Sequence, residues 1–426
     1  MTQLSATQYK RRLKRIAEHP AMSAENITAD RASMDKAAAV MIGIGAILLA
    51  LTAAGAVIVN GRHALASYAV GVYAVTAISL GAMFWVMVFE LVRSGWSAGV
   101  RRQFENVMMN IPLCVVLIAP ILIFELAAGG VLFHWMMDDA DAYLVNKKSS
   151  YLNPAFLAIR FLLYGGIWIL LAMKLWGYSM AQDQTGDRYL VNKARFTSSW
   201  GMLLFALSVA FFAFDFLMSP DYRFFSTMWG VYYFAGGTFS AIAVVAIICC
   251  IAKFFGRMTG AITAEHTHDM GKLMFGFTVF WGYIAFSQYF LIWYSNIPEE
   301  VAWFTHRKEN GWEVLAWLLV FGHFLIPFII LLQRPVKRSL VGLAIVGVWL
   351  LVMTTIDKTW IIRPMVYIRD FAQYNPGPAG WWLDVVAAAG VFAVWGGFLV
   401  RRIARVPLIP VRDPRLLKAL KHKNYV

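Results

Sequence analysis

Ten long runs of apolar residues follow a mostly polar N-terminal stretch of 36 residues. The runs cover approximately 37–59, 64–92, 107–133, 155–178, 197–218, 224–252, 273–296, 311–333, 339–357 and 379–400. Each is close to the roughly 20 residues that an α-helix needs to cross the hydrocarbon core of a bilayer. The pattern therefore predicts an all-α integral membrane protein with about ten transmembrane helices.

The composition supports this fold class and limits the chemistry. Hydrophobic residues make up 60% of the 426 residues, and charged residues make up 15%, which leaves too little polar surface for a soluble protein of this size. The three cysteines, Cys114, Cys249 and Cys250, lie inside apolar runs, and no CxxC or CxxCH spacing is present. Haem attachment, iron–sulfur ligation and a disulfide framework are therefore not supported. We expect no metal site, and any electron carriers should reside in partner chains.

The distribution of basic residues predicts the orientation in the membrane. Of the 38 Lys and Arg residues, 27 lie in the two tails and in the loops on the same side as the tails, and 9 lie in the opposite loops. Because cytoplasmic segments carry an excess of Lys and Arg, both termini are predicted to be cytoplasmic. The basic tails, residues 1–36 and 401–426, are expected to adhere to anionic headgroups or to a neighbouring subunit.

A short repeated motif suggests an internal duplication. Gly71, Val72 and Tyr73 near the start of the second run match Gly230, Val231 and Tyr232 near the start of the sixth. Four intervening helices preserve orientation, so runs two to five and six to nine are predicted to form two parallel four-helix bundles. The predicted division is a flanking span (37–63), a first bundle (64–222), a second bundle (223–357), and an outer loop with the tenth span (358–400).

Three ionisable residues fall in the outer half of the first bundle. Glu125, Arg160 and Asp215 lie within predicted spans, with His134 and Asp221 just above them. Charged side chains in a membrane are costly, and their default interpretation is functional. The alternative is a structural ion pair between Arg160 and one of the acids, because a pair is buried at lower cost than either ion alone.

Two further ionisable residues lie on the cytoplasmic side of the same bundle. Glu90 is near the end of the second run, and Lys174 is near the inner end of the fourth. An interfacial pair of Glu90 with Arg93, three residues later, is favoured over a proton relay. A further hypothesis is that the bundle contains two proton half-channels. Glu90 and Lys174 would line the inner one, and Glu125, Arg160 and Asp215 the outer one.

The second bundle carries a polar seam. Tyr283 and Ser287 are one helical turn apart in the seventh run, and His323 is near the middle of the eighth. Pro327 cannot donate to the carbonyl of His323, so an acceptor is expected to remain available beside the imidazole. Tyr283, Ser287 and His323 are therefore candidates for a proton pathway, and the alternative is a histidine bonded across helices for packing.

Three stretches together resemble a known family. They are DFLMSPDYRFFSTMWGVYYFAGG at 215–237, HDMGKLMFGFTVFWGYIAFSQYFLIWYSNIPEE at 268–300, and GHFLIPF at 322–328. They are similar to the NrfD-type, polysulfide-reductase-like membrane subunits, in particular those of bacterial alternative complex III, a quinol:cytochrome c oxidoreductase. The resemblance covers nearly the whole chain.

The resemblance implies a location, partner subunits and a binding pocket as well as a fold. It implies two four-helix bundles with two flanking helices in a bacterial inner membrane, and no covalently bound cofactor. Its implied partners are a second NrfD-like subunit, an iron–sulfur subunit and cytochrome c subunits, which would carry all haem and iron–sulfur clusters. It also implies a quinol or quinone pocket near the outer face of the first bundle. The residues that would line it here are Glu125, His134, Arg160, Asp215 and Asp221.

The function expected from these observations is a membrane subunit that supplies a quinone-type pocket, a proton-conducting pathway, or both. Such a subunit is not catalytic alone. Two other classes remain open. Parallel repeats and buried ions also occur in secondary transporters, although no pair of short, interrupted helices is evident. A structural anchor for peripheral redox subunits is the other alternative. Nothing in the sequence points to nucleic acid.

Overall fold

The computed structural model describes residues 5–370 and 380–423, and within these ranges the chain is helical without strands. Ten helical spans are long and apolar enough to cross a membrane. We number them spans 1 to 10: Arg31–Ile58, Gly61–Leu91, Arg101–Ala128, Pro154–Thr185, Arg188–Met218, Trp229–Phe254, Ala264–Ser295, Trp312–Leu332, Leu340–Val366 and Trp381–Ile403. The all-α membrane fold predicted from the apolar runs is confirmed.

The spans form two four-helix bundles, as predicted. Spans 2 to 5 form a ring in which each contacts the next and span 5 contacts span 2. Spans 6 to 9 form an equivalent ring closed by span 9 against span 6. Spans 1 and 10 pack against each other and flank the first ring at span 2.

Spans 2 and 6 make the central contact between the bundles. In the most apolar 18-residue segment of each helix, 89% of the residues of span 2 and 72% of those of span 6 are buried. Their backbones meet at Gly81 and Gly237, where a Cβ on either residue would collide with the backbone of the other span. Small residues that allow this close approach are common where membrane helices associate.

Local sequence signals set the ends of the spans. Span 4 begins at Pro154, which tolerates the first helical position, and the Asn153 side chain accepts a hydrogen bond from Phe156 N at 2.8 Å. It ends at Gly186, which adopts the left-handed conformation (φ +65°) that suits a residue without a side chain. Span 5 begins after Asp187, whose carboxylate accepts from Tyr189 N at 2.9 Å. Several observed helices extend beyond the apolar runs because capped polar turns continue them.

Both terminal segments lie at one end of the bundles. The Gln182 side chain at the end of span 4 donates to Tyr9 Oη at 2.9 Å and to the carbonyl oxygen of Arg412 at 3.0 Å. We call this end the terminal face and the other end the opposite face. The N-terminal helix Ala6–Ala17 buries Tyr9 and Ile16 against the protein, so part of the basic tail packs on its own chain.

Shorter helices complete the architecture. Ala24–Ile27, Trp96–Gly99 and Leu416–Leu420 lie at the terminal face, and His134–Met136, Ala142–Lys148 and Pro298–Thr305 lie at the opposite face. Arg334–Arg338 links spans 8 and 9, and Arg363–Asp370 follows span 9. The rest of the predicted outer loop, residues 371–379, lies outside the described ranges.

Candidate functional site: buried ionisable clusters

Arg160 and Asp215 form a two-pronged ion pair at the opposite-face end of the first bundle. Arg160 Nε donates to one carboxylate oxygen at 2.8 Å, and Nη2 donates to the other at 2.9 Å. Tyr164 Oη, one turn from Arg160 in span 4, donates to Asp215 at 2.8 Å. Asp215 is completely buried, and Arg160 is 5% exposed. Three donors therefore surround a single carboxylate.

The local backbone and aromatic residues complete this pair. Asp215 lies in a π-helical turn, Phe214–Met218, at the end of span 5. The Arg160 guanidinium also donates to the carbonyl oxygen of Tyr151 at 2.9 Å and stacks 3.9 Å from the centroid of the Tyr151 ring. Bidentate guanidinium–carboxylate geometry of this kind is strong and geometrically specific. The structural pairing considered from the sequence is thus present in the structure.

Glu125 does not join the Arg160 pair. Its carboxylate accepts hydrogen bonds from the backbone N–H groups of Val131 (2.8 Å), Leu132 (2.8 Å) and Phe133 (3.1 Å). The carboxylate is fully buried and holds the turn that follows span 3 at Gly129. Residues 129–133, which the hydropathy pattern placed inside the third span, form this turn.

His134 and Asp221 lie in the loops at the opposite face. His134 Nε2 is 3.7 Å from Asp139, and its ring contacts Tyr222 at 5.5 Å between centroids. Burial lowers the pKa of His134, and Asp139 partly opposes the shift. Asp221 is half-buried, and its side chain accepts from the backbone N–H of Arg223 at 3.1 Å.

A larger cluster lies at the terminal-face end of the first bundle, centred on Glu90. Arg101 donates to Glu90 at 2.8 Å, and Arg415 from the C-terminal segment donates to both Glu90 oxygens at 2.9 and 2.7 Å. Asp413 contacts Arg101 at 2.5 Å and Arg415 at 2.8 Å. The expected pair of Glu90 with Arg93 is wrong, because Arg93 lies beyond the helix end and is exposed.

The same cluster continues into spans 3 and 4. Glu105 accepts from Arg101 at 2.9 Å and from Ser179 Oγ at 2.7 Å. Arg102 contacts Glu105 at 3.1 Å and is hydrogen-bonded to Asp183. We call this set the terminal-face cluster: Glu90, Arg101, Arg102, Glu105, Asp183, Asp413 and Arg415. All its side chains are at most about 10% exposed.

A small cavity adjoins the terminal-face cluster. It has a volume of about 20 Å³, enough for roughly one water molecule, and is lined by Glu90, Glu105, Gln182 and Arg415 among others. Gln182 Oε1 is buried and has no hydrogen-bond partner among the described residues. An acceptor of this kind beside a water-sized space is a typical site for an ordered water.

Lys174 does not take part in this cluster. Its side chain is exposed, and its ammonium lies 5.6 Å from the centroid of the Trp200 ring of span 5. Leu175 and Tyr178, on the neighbouring face of the same span, line the cavity instead. The two residues proposed for the inner half-channel are therefore not brought together.

The second bundle contains an ion pair that the sequence analysis did not identify. Lys358 Nζ lies 2.6 Å from Asp357 Oδ2 in span 9, and both side chains are completely buried. Tyr232 Oη from span 6 donates to the other Asp357 oxygen. The Lys358 ammonium also lies 5.6 and 5.3 Å from the ring centroids of Tyr232 and Tyr233. The second bundle thus has an ionisable centre of its own.

Trp281 connects His323 to this centre. The His323 ring stacks on Trp281 at 4.0 Å between centroids, and Trp281 contacts Tyr232 at 5.6 Å. His323 is fully buried in a π-helical turn, Leu319–Leu325, and neither ring nitrogen has a hydrogen-bond partner among the described residues. π-Helical turns are frequent at functional sites.

Tyr283 and Ser287 lie on a different face of span 7 from the one that contacts His323. Tyr283 is 64% exposed, and Ser287 Oγ donates to the carbonyl oxygen of Tyr283 at 2.6 Å. Trp281, two residues earlier, faces the interior. The structure therefore brings His323 near Tyr232 and Asp357, and it leaves Tyr283 and Ser287 on the outer surface.

The five candidate quinone-pocket residues are divided among separate sites, and three of them are engaged with the protein. The Asp215 and Glu125 carboxylates each already accept three hydrogen bonds from the protein, and Arg160 is held by Asp215 and Tyr151. His134 and Asp221 lie in the surface loops, apart from the Arg160 pair.

Several ionisable residues escaped the sequence analysis because hydropathy placed them outside the spans. Arg101, Arg102 and Glu105 fell in a predicted loop, although their spacing of three and four residues is that of one helix face. Lys358 followed the predicted end of the ninth span, but that helix continues to Ile362. Asp384 in span 10, which pairs with Arg363 at 2.8 Å, was also missed.

Comparison with known proteins gives no assignment: no protein-family model and no curated protein sequence matches this chain. Within the described residues, no group of three or more His, Cys, Asp or Glu side chains is arranged to hold a metal ion.

Proposed function

We propose that this chain is an integral membrane subunit of a quinol:cytochrome c oxidoreductase of the alternative complex III type, in which it handles protons while partner chains carry the electrons. The three family-like stretches and the two four-helix bundles support the proposal. The proposed partners are a second NrfD-like subunit, an iron–sulfur subunit and cytochrome c subunits. The bias in Lys and Arg supports an orientation with both termini in the cytoplasm, and the bacterial inner membrane is the location that the family resemblance implies.

The terminal-face cluster carries the proton-handling part of the proposal. It contains four carboxylates (Glu90, Glu105, Asp183 and Asp413) and three guanidiniums (Arg101, Arg102 and Arg415). If every group were charged, one buried negative charge would remain uncompensated. An uncompensated buried charge costs several kcal/mol, so the cluster gains by binding one proton. Burial correspondingly raises the pKa of Asp413.

The cavity beside Glu90 provides a route for that proton. Glu90 and Glu105 both line it, and the space is sufficient for about one water. Gln182, whose Oε1 has no hydrogen-bond partner among the described residues, lines the same cavity. The cluster can therefore exchange a proton with the terminal face, which would be the cytoplasmic side in the proposed orientation.

Glu90→Gln tests the proposal in the intact complex. The substitution leaves three carboxylates facing three guanidiniums, so the cluster remains balanced and we expect assembly to be retained. The number of protons taken up per electron should fall, as measured with the purified complex in proteoliposomes. Glu309→Gln, which removes an exposed carboxylate from the loop before span 8, is the matched control and should leave proton uptake unchanged. Unchanged proton uptake in an assembled Glu90→Gln complex would refute this assignment.

A structural anchor is the second candidate, and the Arg160–Asp215 pair specifically favours it. Three N–H groups of Arg160 and both carboxylate oxygens of Asp215 make hydrogen bonds within the protein, as expected of a pair that fixes helices together. If Glu90→Gln has no effect on proton uptake while disruption of Arg160 releases the peripheral subunits, the anchor is the better description. Quinol oxidation would belong to a partner subunit in either case.

A further inference from the structure

The buried pairs of the two bundles differ in the base that they contain. In the first bundle the base is Arg160, and in the second it is Lys358. A guanidinium remains protonated in proteins, whereas a buried lysine ammonium gives up its proton much more readily. The distinction matters here because both side chains of the lysine pair are completely buried.

The surroundings of Asp357 and Lys358 are apolar and aromatic. The titratable and charged groups that face the pair are Tyr232 and Tyr233 from span 6, His323 from span 8, and Arg307 from the loop before span 8. Arg307 is fully committed to three carbonyl oxygens, those of Trp303, Trp360 and Ile361, at 2.6 to 2.9 Å. It closes the opposite-face end of the site but offers no hydrogen bond to Asp357.

We infer that Asp357, Lys358, Tyr232 and His323 form a proton-binding site in the second bundle, and that its lysine–aspartate pair exchanges between charged and neutral forms. In the exchange, one proton leaves the Lys358 ammonium and binds the Asp357 carboxylate, which gives an amine and a carboxylic acid. The total charge does not change, and no oxidant or reductant is needed. The neutral form avoids the cost of keeping two ions in an apolar interior.

Two further observations point to the same site. Both ring nitrogens of the buried His323 are unpartnered among the described residues, so the imidazole has capacity to accept or donate a proton. Gly236 of span 6 faces the pair, and a Cβ there would lie 3.8 Å from Lys358 Nζ and 3.8 Å from the Trp281 ring. The glycine therefore keeps the space between the ammonium and the indole narrow but free of side-chain atoms.

The inference deepens the proposed function, since its place in a proton route depends on that function, but protonation of Asp357 can be measured on the chain alone. The purified full-length protein in lipid nanodiscs is treated with a hydrophobic carbodiimide, and the modified residues are located by mass spectrometry. The reagent adds only to a protonated carboxyl: the acid's oxygen bonds to the carbodiimide carbon, and its proton passes to nitrogen. Rearrangement then leaves a stable N-acylurea, or the neighbouring Lys358 amine attacks the activated carboxyl and releases the urea to leave an amide. Both products count as modification of Asp357. Charged carboxylates are left unmodified.

We expect modification of Asp357 at neutral pH, where the exchange within the pair makes its carboxyl group protonated, and an increase at mildly acidic pH as the site binds a further proton from solution. Lys358→Arg should reduce it to background, because a guanidinium retains its proton and keeps the carboxylate charged. Asp215, paired with Arg160, should not be modified in the native chain. Arg160→Met serves as the accessibility control, because it leaves Asp215 unpaired and should make that residue reactive.

Two results would overturn the inference. One is an unmodified Asp357 in the native chain together with strong modification in Lys358→Met, since the reagent then reaches the site and finds it charged. If neither the native chain nor Lys358→Met is modified, the infrared absorption of protonated carboxyl groups is compared between the native chain and Asp357→Asn. Loss of a band in Asp357→Asn supports the inference. The second overturning result is an identical band in the two proteins. Either result is separate from the Glu90→Gln experiment, which measures proton uptake by the complex.

Discussion

At the scale of single residues, the kind of cation determines what a buried carboxylate can do. Asp215 meets a planar guanidinium that donates two parallel hydrogen bonds and is itself stacked against Tyr151. Such a pair is fixed in geometry and in charge. Asp357 meets an ammonium and a tyrosine hydroxyl, both of which can transfer a proton. We therefore assign a structural role to Asp215 and proton binding to Asp357.

Asp215→Asn should destabilise the protein rather than only alter its activity. Removal of the carboxylate charge leaves Arg160 buried and unpaired, which costs about 3–5 kcal/mol. The thermal unfolding midpoint of the purified chain in detergent should fall accordingly. Arg160→Met combined with Asp215→Asn should recover most of the loss, because neither charge then remains buried. A single variant as stable as the native protein would contradict the structural role of this pair.

At the scale of elements, the loop between spans 3 and 4 covers the opposite-face end of the first bundle. Glu125 holds its first turn through three backbone N–H groups. Further along, the backbone N–H of Asp141 donates to Tyr222 Oη at 2.8 Å, and Lys148 Nζ donates to the carbonyl oxygen of Tyr222 at 2.6 Å. The loop is thereby tied to the turn after span 5, and His134 packs between them.

The stability of this loop should decrease on acidification because of His134. Burial lowers the pKa of His134 below its usual value of about 6.5, and Arg223 adds to the shift, while Asp139 and Asp221 oppose it. The unfolded chain then binds a proton at a higher pH than the folded one. Stability is therefore complete above the unfolded pKa and is lost as the pH falls from there towards the folded pKa.

Thermal unfolding across this pH range, with His134→Gln for comparison, measures the effect. The native protein should lose more stability than the variant as the pH falls below about 6.5, and the two should change in parallel at higher pH. A variant with the same acid dependence as the native protein would show that other groups, such as the carboxylates of the terminal-face cluster, govern it.

At the scale of the whole molecule, hydropathy was sufficient for the number of spans, because long apolar runs are an unambiguous signal in a membrane. The arrangement into two bundles was predicted from the repeated Gly-Val-Tyr motif and from the family resemblance. It was not sufficient for the site. The outer surface of a membrane protein is itself apolar, so helical spacing does not show which face of a span is inside. Tyr283 and Ser287 were placed in the interior for that reason, although Tyr283 is 64% exposed.

The missed residues share a second physical cause. Arg101, Glu105 and Asp413 lower the hydropathy of the segments around them, so these segments were assigned to loops and tails. In the folded chain, however, they neutralise one another and become buried together with Glu90. The compensation involves residues more than 300 positions apart, such as Glu90 and Arg415, and no local pattern records it. Adjacent Asp357 and Lys358, in contrast, could have been recognised by inspection of the sequence.

The packing of the two bundles against each other depends on the close approach of spans 2 and 6 at Gly81 and Gly237. Gly81→Ala should prevent the close approach of spans 2 and 6, because the added Cβ would overlap the carbonyl group of Gly237, and a backbone atom cannot rotate away. Overpacking against side chains typically costs about 1–3 kcal/mol, and we expect at least that here.

Gly43→Ala in span 1 is the matched control, since no atom lies within 4 Å of the position of its Cβ. The yield of folded protein by size-exclusion chromatography should fall sharply for Gly81→Ala and remain unchanged for Gly43→Ala. Equal yields would mean that the two bundles do not meet at Gly81 and Gly237.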